Sequence, residues 1–441
     1  MSNLVSIVKY EKPFESVRKA VEMAKGLDNL PPKAKVFIKP NIVYWNRLCT
    51  YPKWGVITTS RVIEDVIVLL KEKGIEDITI GEGITSISGN KKDTENALDA
   101  WERLGYNKLN EKYGVKAINL FERPYEKIDL GTGFTTKFSS DALNADYLIN
   151  IPVLKTHAQA MVSLGLKNLK GCISAASRKK FHNADPIKNL DYNVAQLANK
   201  IPPSLTIIDG IYTLERGPAM DGKSHKSNIL VASSDVLSAD MVGAKLLEID
   251  PSGVPHLIQA AKDRNRPTDL SDVELVGEKI EDLASPHEWD FLYTNDNSLP
   301  LPFERAGIEG IKYHKYDTTM CTYCSGMNGL ILMAMKMSYK KSKPFDKVEM
   351  LSGKIMEPST GNNKTILFRQ CQVNLNKDHP NIKELISIPG CPPSKEAIEG
   401  ALKNIGLRVP RAFFANLDTG PGMLMVKYQN KPEFEEDFFQ V

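Results

Sequence analysis

The sequence predicts an α/β fold with mostly parallel sheets and flanking helices, followed by a smaller C-terminal α/β unit. Strand and helix signals alternate through the first two thirds of the chain, an order typical of parallel sheets covered by helices. The length of 441 residues is enough for two or three domains that each bury a core. Hydrophobic residues make up 42% and charged residues 25% of the chain, as is ordinary for a globular protein.

The larger predicted unit contains six strand signals and two clear helices. One helix lies in "TTSRVIEDVIVLLKEKG", where Thr59 is a suitable N-cap, the apolar spacing is helical and Gly74 is a suitable stop. A second, amphipathic helix lies in "DVLSADMVGAKLLEID". The predicted strands, in chain order, lie in "VSIVKY", "KVFIKP", "EDITIGEG", "NADYLINIPVLKTH", "SLTIIDG" and "SNILVAS".

A domain boundary is predicted in segment 278–305, where periodicity is lost and Pro, Asn and Asp become frequent. We therefore expect a first domain over 1–285 and a second over 300–441. The predicted strands of the second domain lie in "IKYHKY", "KVEMLSG", "KTILFRQ" and "ELISIPG". Its predicted helices lie in "SGMNGLILMAMKMSYK" and "SKEAIEGALKNIG".

The charge and the apolar runs of the sequence exclude several classes of function. A formal net charge of +3, evenly spread, argues against nucleic acid or an anionic membrane surface as a partner. The N-terminal residues "MSNLVSIVKYEKPF" have no signal-peptide pattern, and no run approaches 18 apolar residues. We therefore expect a cytoplasmic protein with reduced thiols. The sequence does not define an oligomeric state.

Polar side chains follow several predicted strands at the point where each strand ends. In parallel sheets, ligands collect at the carboxyl ends of strands, so these side chains are candidate binding or catalytic groups. Lys155 and His157 are the catalytic candidates among them, and Lys39, Asn41, Glu82 and Asp209 are the cofactor-binding candidates. The following segment, "SLGLKNLKGCISAASRKKFH", adds Lys167 and His182 as catalytic candidates and Lys170 and Arg178 as cofactor-binding candidates. Its glycines, Gly165 and Gly171, allow a close approach of the backbone, and several cations around one crevice favour an anionic ligand.

Four of the six cysteines, Cys321, Cys324, Cys371 and Cys391, stand where a predicted strand ends or a predicted helix begins. If these strands are neighbours in a parallel sheet, the four thiols reach one edge. Four converging thiolates suit a [4Fe-4S] cluster or a tetrahedral zinc, and the prolines of "GCPP" would fix the last cysteine. The alternative is buried thiols without metal, an interpretation that suits Cys49 and Cys172 better.

The pattern CxxC…C…GCPP resembles the proximal-cluster region of hydrogenase small subunits and of related quinone-reductase subunits. In those proteins a cubane cluster lies on a flavodoxin-like domain. The resemblance implies a cluster held by the four cysteines of the second domain.

The first domain resembles the domain of unknown function 362 family over about residues 5–280. The matching motifs are "KPN", "NIPVLKTH", "LKNLKGC", the later His182, "DG" at 209–210, "GP" at 217–218 and "SSDVLSADMVGAKLL". Members often carry iron–sulfur cysteines, which is consistent with the second domain. The family name implies no reaction.

A more distant resemblance links His157, Lys167 and His182 to the nickel-pincer lactate racemases. In those enzymes a lysine anchors a pincer nucleotide and a histidine binds nickel, which implies a nucleotide-type or nickel cofactor here. The turn is "SLGLKN" instead of the family's double glycine, and no histidine precedes His157.

These observations predict an oxygen-sensitive iron–sulfur redox protein, in the class of oxidoreductases, that acts on an anionic small molecule or cofactor. One alternative is a metal-dependent racemase or isomerase of the pincer type. Another is a non-catalytic electron-transfer or maturation subunit that binds a redox partner protein. The sequence contains no GxGxxG, P-loop, HExxH or GxSxG motif, so nucleotide-binding Rossmann proteins, P-loop ATPases and the corresponding hydrolases are not predicted.

Overall fold

The structure, a computed structural model, describes residues 3–86 and 93–441. Its strands are β1 Leu4–Lys9, β2 Val36–Pro40, β3 Ile78–Glu82, β4 Lys116–Asn119, β5 Tyr125–Ile128, β6 Thr136–Ser139, β7 Tyr147–Ile151, β8 Val153–His157, β9 Met161–Val162, β10 Ser204–Glu215, β11 Lys223–Ser233, β12 Glu274–Gly277, β13 Ile311–Tyr313, β14 Val348–Leu351, β15 Lys364–Phe368 and β16 Glu384–Ile388. Its α-helices are α1 Glu15–Met23, α2 Ser60–Glu72, α3 Thr94–Arg103, α4 Tyr106–Tyr113, α5 Ser140–Leu143, α6 Gly165–Asn168, α7 Ala175–Phe181, α8 Leu190–Ala195, α9 Val236–Leu246, α10 Pro255–Asp263, α11 Ile280–Leu283, α12 Leu301–Arg305, α13 Thr322–Ser338, α14 Arg369–Asn376, α15 Lys395–Asn404 and α16 Arg411–Ala415.

The chain forms two compact units that are not simply consecutive in sequence. Unit 1 comprises Met1–Arg178, Asp191–Asp290 and Thr419–Val441, and unit 2 comprises Lys179–Leu190 and Phe291–Asp418. The predicted division into 1–285 and 300–441 stays a prediction of domain organisation. The structure adds that the last 23 residues pack with unit 1.

Unit 1 is built on a sheet that, among the described residues, has ten strands with a path of β12-β1-β11-β10-β7-β2-β3-β4. Strands β10, β7, β2, β3 and β4 are parallel along this path, whereas β11 is antiparallel to both β1 and β10. Strand β8 pairs with β10 and, through an antiparallel contact, with β9. The predicted α/β class with a mostly parallel sheet is confirmed.

Helix α2 illustrates how the predicted elements form. Thr59 occupies the predicted N-cap position, and the helix ends two residues before Gly74, whose φ is 75°. The hydroxyl of Thr59 does not cap the helix but donates a hydrogen bond to Asp209 Oδ2 at 2.8 Å. Apolar residues at helical spacing, including Ile63, Ile67 and Leu70, are fully buried against the sheet core.

Unit 2 has a four-stranded sheet of order β13-β14-β15-β16 in which every pair is parallel. Its core includes Met335 of α13, Ile366 of β15 and Leu402 of α15, all fully buried. Helix α14 begins at Arg369, directly after β15, where the sequence predicted only the end of a strand. No helix within residues 3–86 or 93–441 is long and apolar enough to cross a membrane.

The segment 419–441 completes the core of unit 1 with aromatic rings. Phe434 lies 5.4 Å from the ring of Trp54 and 4.6 Å from that of Tyr428, measured between centroids. Phe439 is fully buried, and its ring stacks on Tyr212 at 6.3 Å. This packing makes the segment part of the hydrophobic core of unit 1.

Replacing Phe439 by Ala should lower the free energy of unfolding of unit 1 by about 3 kcal/mol, the cost of deleting a fully buried ring. The measurement is urea denaturation of the full chain. Met423→Ala is the control in the same segment, because Met423 is 65% exposed and its loss should cost less than about 0.5 kcal/mol. Equal effects of the two substitutions would show that the segment is not held by its aromatic side chains.

Candidate functional site

A buried ion pair joins the ends of two neighbouring parallel strands in unit 1. Lys39 of β2 donates from Nζ to Glu82 Oε2 of β3 at 2.8 Å, and neither side chain is exposed to solvent. Glu82 also accepts from the backbone N–H groups of Ile42 at 3.0 Å and Gly83 at 2.7 Å. Burial by itself would raise the pKa of Glu82, but the positive charges of Lys39 and Arg178 and these hydrogen bonds hold it below its usual range.

The glycine-rich turn "LKNLKGC" packs directly on this ion pair. Asn168 Nδ2 donates to Lys39 O at 3.2 Å and to Asn150 Oδ1 at 2.8 Å. A Cβ atom on Gly171 would lie only 2.6 Å from Lys39 Nζ and 2.7 Å from Glu82 Oε1. Glycine is therefore required at position 171 for the backbone to approach the ion pair. The ion pair also fixes the position of the glycine-rich turn.

Arg178 strengthens the same arrangement from helix α7. Its guanidinium donates to the carbonyl oxygens of Gly171 at 2.7 Å, Gly83 at 3.1 Å and Ile173 at 3.1 Å. It also stacks over the ring of Phe121, with 4.7 Å between Cζ and the ring centroid. Arg178 thus connects the turn to the end of β3 through backbone contacts.

Two further lysines, together with Asn41, form what we call the lysine site. Lys155 of β8 is 2% exposed, and its Nζ donates to Val56 O at 2.7 Å and to Pro218 O at 3.3 Å. Asn41 Nδ2 donates to the same Val56 carbonyl at 2.7 Å. The side chain of Lys167, from α6, makes no hydrogen bond or ion pair with residues in the described part of the chain.

Burial changes the charge of both lysines of the lysine site. It lowers the pKa of Lys155 to about 7, and the nearby charge of Lys167 lowers it further. Burial also lowers the pKa of Lys167 to about 8. Near neutral pH, Lys155 is therefore a mixture of ammonium and neutral amine. Such a group is able to act as a general base or a nucleophile, or to bind an anion when protonated.

Asp240, which lies outside the predicted site residues, holds the helix that carries Lys167. Its two carboxylate oxygens accept from the N–H groups of Gly165 at 2.6 Å and Leu166 at 2.8 Å. Burial raises the pKa of Asp240 to about 7, although these hydrogen bonds oppose the rise. The signal in the sequence was the position of this aspartate inside an otherwise apolar helix.

The remaining predicted residues each make contacts outside the lysine site. Asp209 accepts from Thr59 N at 2.7 Å and from Ile211 N at 3.1 Å, so it supports the start of α2. His157 is buried at the end of β8, with Nδ1 accepting from Gln159 N at 3.1 Å. Lys170 is also buried. His182 belongs to unit 2, where its Nδ1 lies 2.7 Å from Thr318 O.

The four predicted metal-binding cysteines of unit 2 lie at helix starts and strand ends. Cys321 is the N-cap of α13, and its Sγ lies 3.6 Å from that of Cys324 in the first turn. Strands β15 and β16 pair Phe368 with Ile388, and Cys371 and Cys391 each follow this pair by three residues. The carboxyl ends of two neighbouring parallel strands thus carry one cysteine each.

Two cations contact these sulfurs. Arg369 is 2% exposed, and its Nη1 lies 2.7 Å from Cys324 Sγ, while its Nη2 donates to Tyr323 O. Lys179 Nζ lies 2.9 Å from Cys391 Sγ. Within the described residues, no carboxylate lies at ion-pair distance from Arg369 or Lys179. The sulfur-to-sulfur hydrogen bond lowers the pKa of Cys321 below the usual range of a thiol, with a smaller contribution from the charge of Arg369.

The four thiols of unit 2 are donors of the type that metal centres use. Across residues 3–86 and 93–441, no three histidine, cysteine, aspartate or glutamate side chains are close enough together to hold a metal ion. Cys321 and Cys324 are buried, whereas Cys371 and Cys391 are exposed. The charge of Cys371 acts on Cys324, and the charges of Cys321 and Cys391 both act on Lys179. Soft thiolate donors beside two cations fit an anionic iron–sulfur cluster.

Part of unit 1 is similar to a known family. Residues 36–245 match the family model described as "Domain of unknown function (DUF362)". The predicted resemblance to that family is confirmed over this segment, which contains Lys39, Glu82, Lys155 and Lys167. The four cysteines of unit 2 lie outside the matched segment, and their resemblance to hydrogenase small subunits stays a prediction.

Two individual proteins were also found to be similar. A thylakoid-associated protein of Synechocystis sp. is 29% identical over 252 residues, which are 56% of this chain and 74% of that protein. The lactate racemase apoprotein of Thermoanaerobacterium thermosaccharolyticum matches with a TM-score of 0.33 and 17% identity. That match covers 56% of this chain and 57% of the racemase chain.

The lowered pKa of Lys155 predicts a specific pH dependence of stability. The unfolded chain keeps this lysine protonated up to about pH 10, so between about pH 7 and 10 it binds more protons than the folded chain. The contribution of Lys155 to the free energy of unfolding therefore increases as the pH rises through this window. Lys155→Met removes this contribution. Near pH 7 and below, the variant avoids the cost of a buried positive charge, so its free energy of unfolding relative to the parent should be highest there and should fall as the pH rises.

The measurement is urea denaturation of the parent and of Lys155→Met at several pH values from 6 to 10. Lys167→Met should show the same trend over a narrower range, since the pKa of Lys167 is lowered less. A difference between parent and Lys155→Met that does not change with pH would mean that Lys155 is fully charged in the folded protein.

Proposed function

We propose that this chain is an iron–sulfur oxidoreductase that binds an anionic small molecule at the lysine site of unit 1. In this proposal Cys321, Cys324, Cys371 and Cys391 hold a [4Fe-4S] cluster in unit 2. The observation that carries the proposal is the contact of the buried Arg369 guanidinium with the sulfur of Cys324. The thiol chemistry that we infer fits a reducing compartment, such as the cytoplasm.

The buried positive charge of Arg369 requires a negative partner. A guanidinium stays protonated in proteins, so burial cannot be relieved by loss of its proton. A buried charge without a partner costs several kcal/mol, and among the described residues Arg369 has no carboxylate partner. Thiolates, or an anionic cluster bound to them, would supply the missing negative charge. This need for an anion favours a thiolate-ligated group over neutral buried thiols.

The lysine site supports the second half of the proposal. Lys155 and Lys167 bring two groups with pKa values of about 7 and about 8 close enough for their charges to interact. An anion would favour the charged form of both, so its binding is coupled to uptake of protons. A carboxylate or phosphate fits this chemistry. A cluster held by unit 2 would supply single electrons, and the ammonium group of Lys155 would hold the anion and donate a proton to the reduced substrate.

One observation favours the racemase alternative. The Lys167 side chain makes no hydrogen bond with residues in the described part of the chain. By resemblance, that lysine would anchor a pincer nucleotide. The electron-transfer subunit alternative predicts a redox partner protein and no activity of the chain alone. Metal content, substrate response and co-purification of a partner distinguish the three proposals.

The first experiment is metal and sulfide analysis of the anaerobically purified chain. We expect roughly four iron and four sulfide per chain, because four thiolates hold one cubane cluster. Cys324→Ser and Cys391→Ser should each lose most of the iron. Cys49→Ser is the control and should keep it, because Cys49 lies in unit 1, where its Sγ accepts a hydrogen bond from Asn46 Nδ2.

Zinc at one per chain with no iron would contradict the iron–sulfur proposal. Nickel in the purified chain, with activity that survives loss of the cluster, would favour the racemase alternative instead.

The second experiment tests the lysine site by calorimetric titration with inorganic phosphate and, separately, with lactate. Lys155→Met and Lys167→Met should each weaken binding at least about tenfold, since each removes a charge-assisted contact. Binding in the parent should weaken as the pH rises through about 7 to 8, where both lysines lose their protons. Lys108→Met, on the exposed face of α4, is the control, and equal affinities for all variants would exclude the lysine site as the binding site.

A further inference from the structure

The two cations of unit 2 differ in their surroundings. Arg369 is 2% exposed and contacts Cys324, which is buried, whereas Lys179 is half-buried and contacts Cys391, which is exposed. Lys179 Nζ also lies 5.2 Å from the centroid of the Tyr323 ring. The two contacts therefore place a positive charge next to two different cysteines, one at the start of α13 and one after β16.

The backbone at Arg369 is held in a conformation that its residue type rarely adopts. Its φ is 80°, in the left-handed region, at the first residue of α14. Its Nη1 and Nη2 contact Cys324 and Tyr323, while Nε has no hydrogen-bond partner in the described part of the chain. Strained backbone of this kind persists where surrounding contacts over-determine the geometry, and at Arg369 those contacts are the sulfur of Cys324 and the carbonyl of Tyr323.

We infer that Arg369 and Lys179 set the reduction potential of the cluster, an inference that rests on the proposed function. Reduction adds one electron and makes the cluster and its thiolates more negative. Positive charge and N–H donors at the sulfurs stabilise that reduced state more than the oxidised state, which raises the potential. The effect of Arg369 should exceed that of Lys179, because a charge interaction is stronger where water is excluded.

The redox step involves neither residue covalently. The oxidised cluster takes one electron from the reductant, which is dithionite in the experiment below. Arg369 and Lys179 keep their protons and form no bond to the cluster. Their role is to position charge and hydrogen-bond donors, so they are tuning residues and not catalytic residues.

The test is a redox titration of the anaerobically purified full chain, followed by electron paramagnetic resonance. Arg369→Gln should lower the equilibrium constant for reduction about tenfold, which is about 59 mV for a one-electron couple. Lys179→Gln should lower it by a smaller factor, and Lys179→Arg, which keeps the charge and the donor, should restore it. Lys377→Gln is the control, because it removes a positive charge from the exposed C-terminal end of α14.

The outcomes separate this inference from the proposed function. A parent chain without a reducible cluster would overturn the proposed function itself. A parent chain with a cluster whose potential is the same in Lys179→Gln, Arg369→Gln and Lys377→Gln would overturn the tuning inference alone. If Arg369→Gln fails to keep its iron, Lys179→Gln and Arg369→Lys decide the question, and unchanged potentials in both would overturn it.

Discussion

The arrangement of unit 1 depends on the buried ion pair between Lys39 and Glu82. Neither charge is exposed to solvent, and such a pair is tolerated only if its geometry and additional hydrogen bonds compensate for the lost hydration. Removal of one partner of a buried pair typically destabilises a protein by about 3–5 kcal/mol. Glu82 satisfies this condition with backbone N–H groups, and Lys39 with a backbone carbonyl and Asn168. The glycine-rich turn that presents Lys167 lies on the pair, with Gly171 in direct contact. The ion pair is therefore a support for the site and not a part of its accessible surface.

Buried positive charges are stabilised in different ways in the two units. In unit 1, Lys39 is matched by a carboxylate, and Lys155 has a pKa low enough to lose its proton near neutrality. For Arg369 of unit 2 neither applies, because a guanidinium stays protonated in proteins and its close partners are a sulfur and a carbonyl. The chemistry of unit 2 is thus constrained by a charge that needs an anion, and the chemistry of unit 1 by groups that exchange protons.

The sequence predicted the class of fold, most strands and the start of α2 after Thr59, because apolar periodicity and the residue types at helix ends are local signals. It also placed Lys39 and Glu82 correctly at strand ends. It did not predict their complete burial, since a lysine and a glutamate 43 residues apart give no local sign that they pair. Asn168 was missed for the same reason, as its partner Asn150 lies in another element. Helix α14 was missed because its sequence, "RQCQVNLN", has little apolar periodicity.

The discontinuity of unit 1 has a consequence for synthesis. The ribosome delivers residues 291–418, which include all four cysteines of unit 2, before it delivers the segment 419–441. Domains generally fold as units during translation, N-terminal parts first. Unit 2 therefore has its complete set of residues from 291 to 418 while the aromatic core around Phe439 is still open. A metal delivered to the chain during synthesis would therefore find all four cysteines of unit 2 already present, while unit 1 still lacks its last segment.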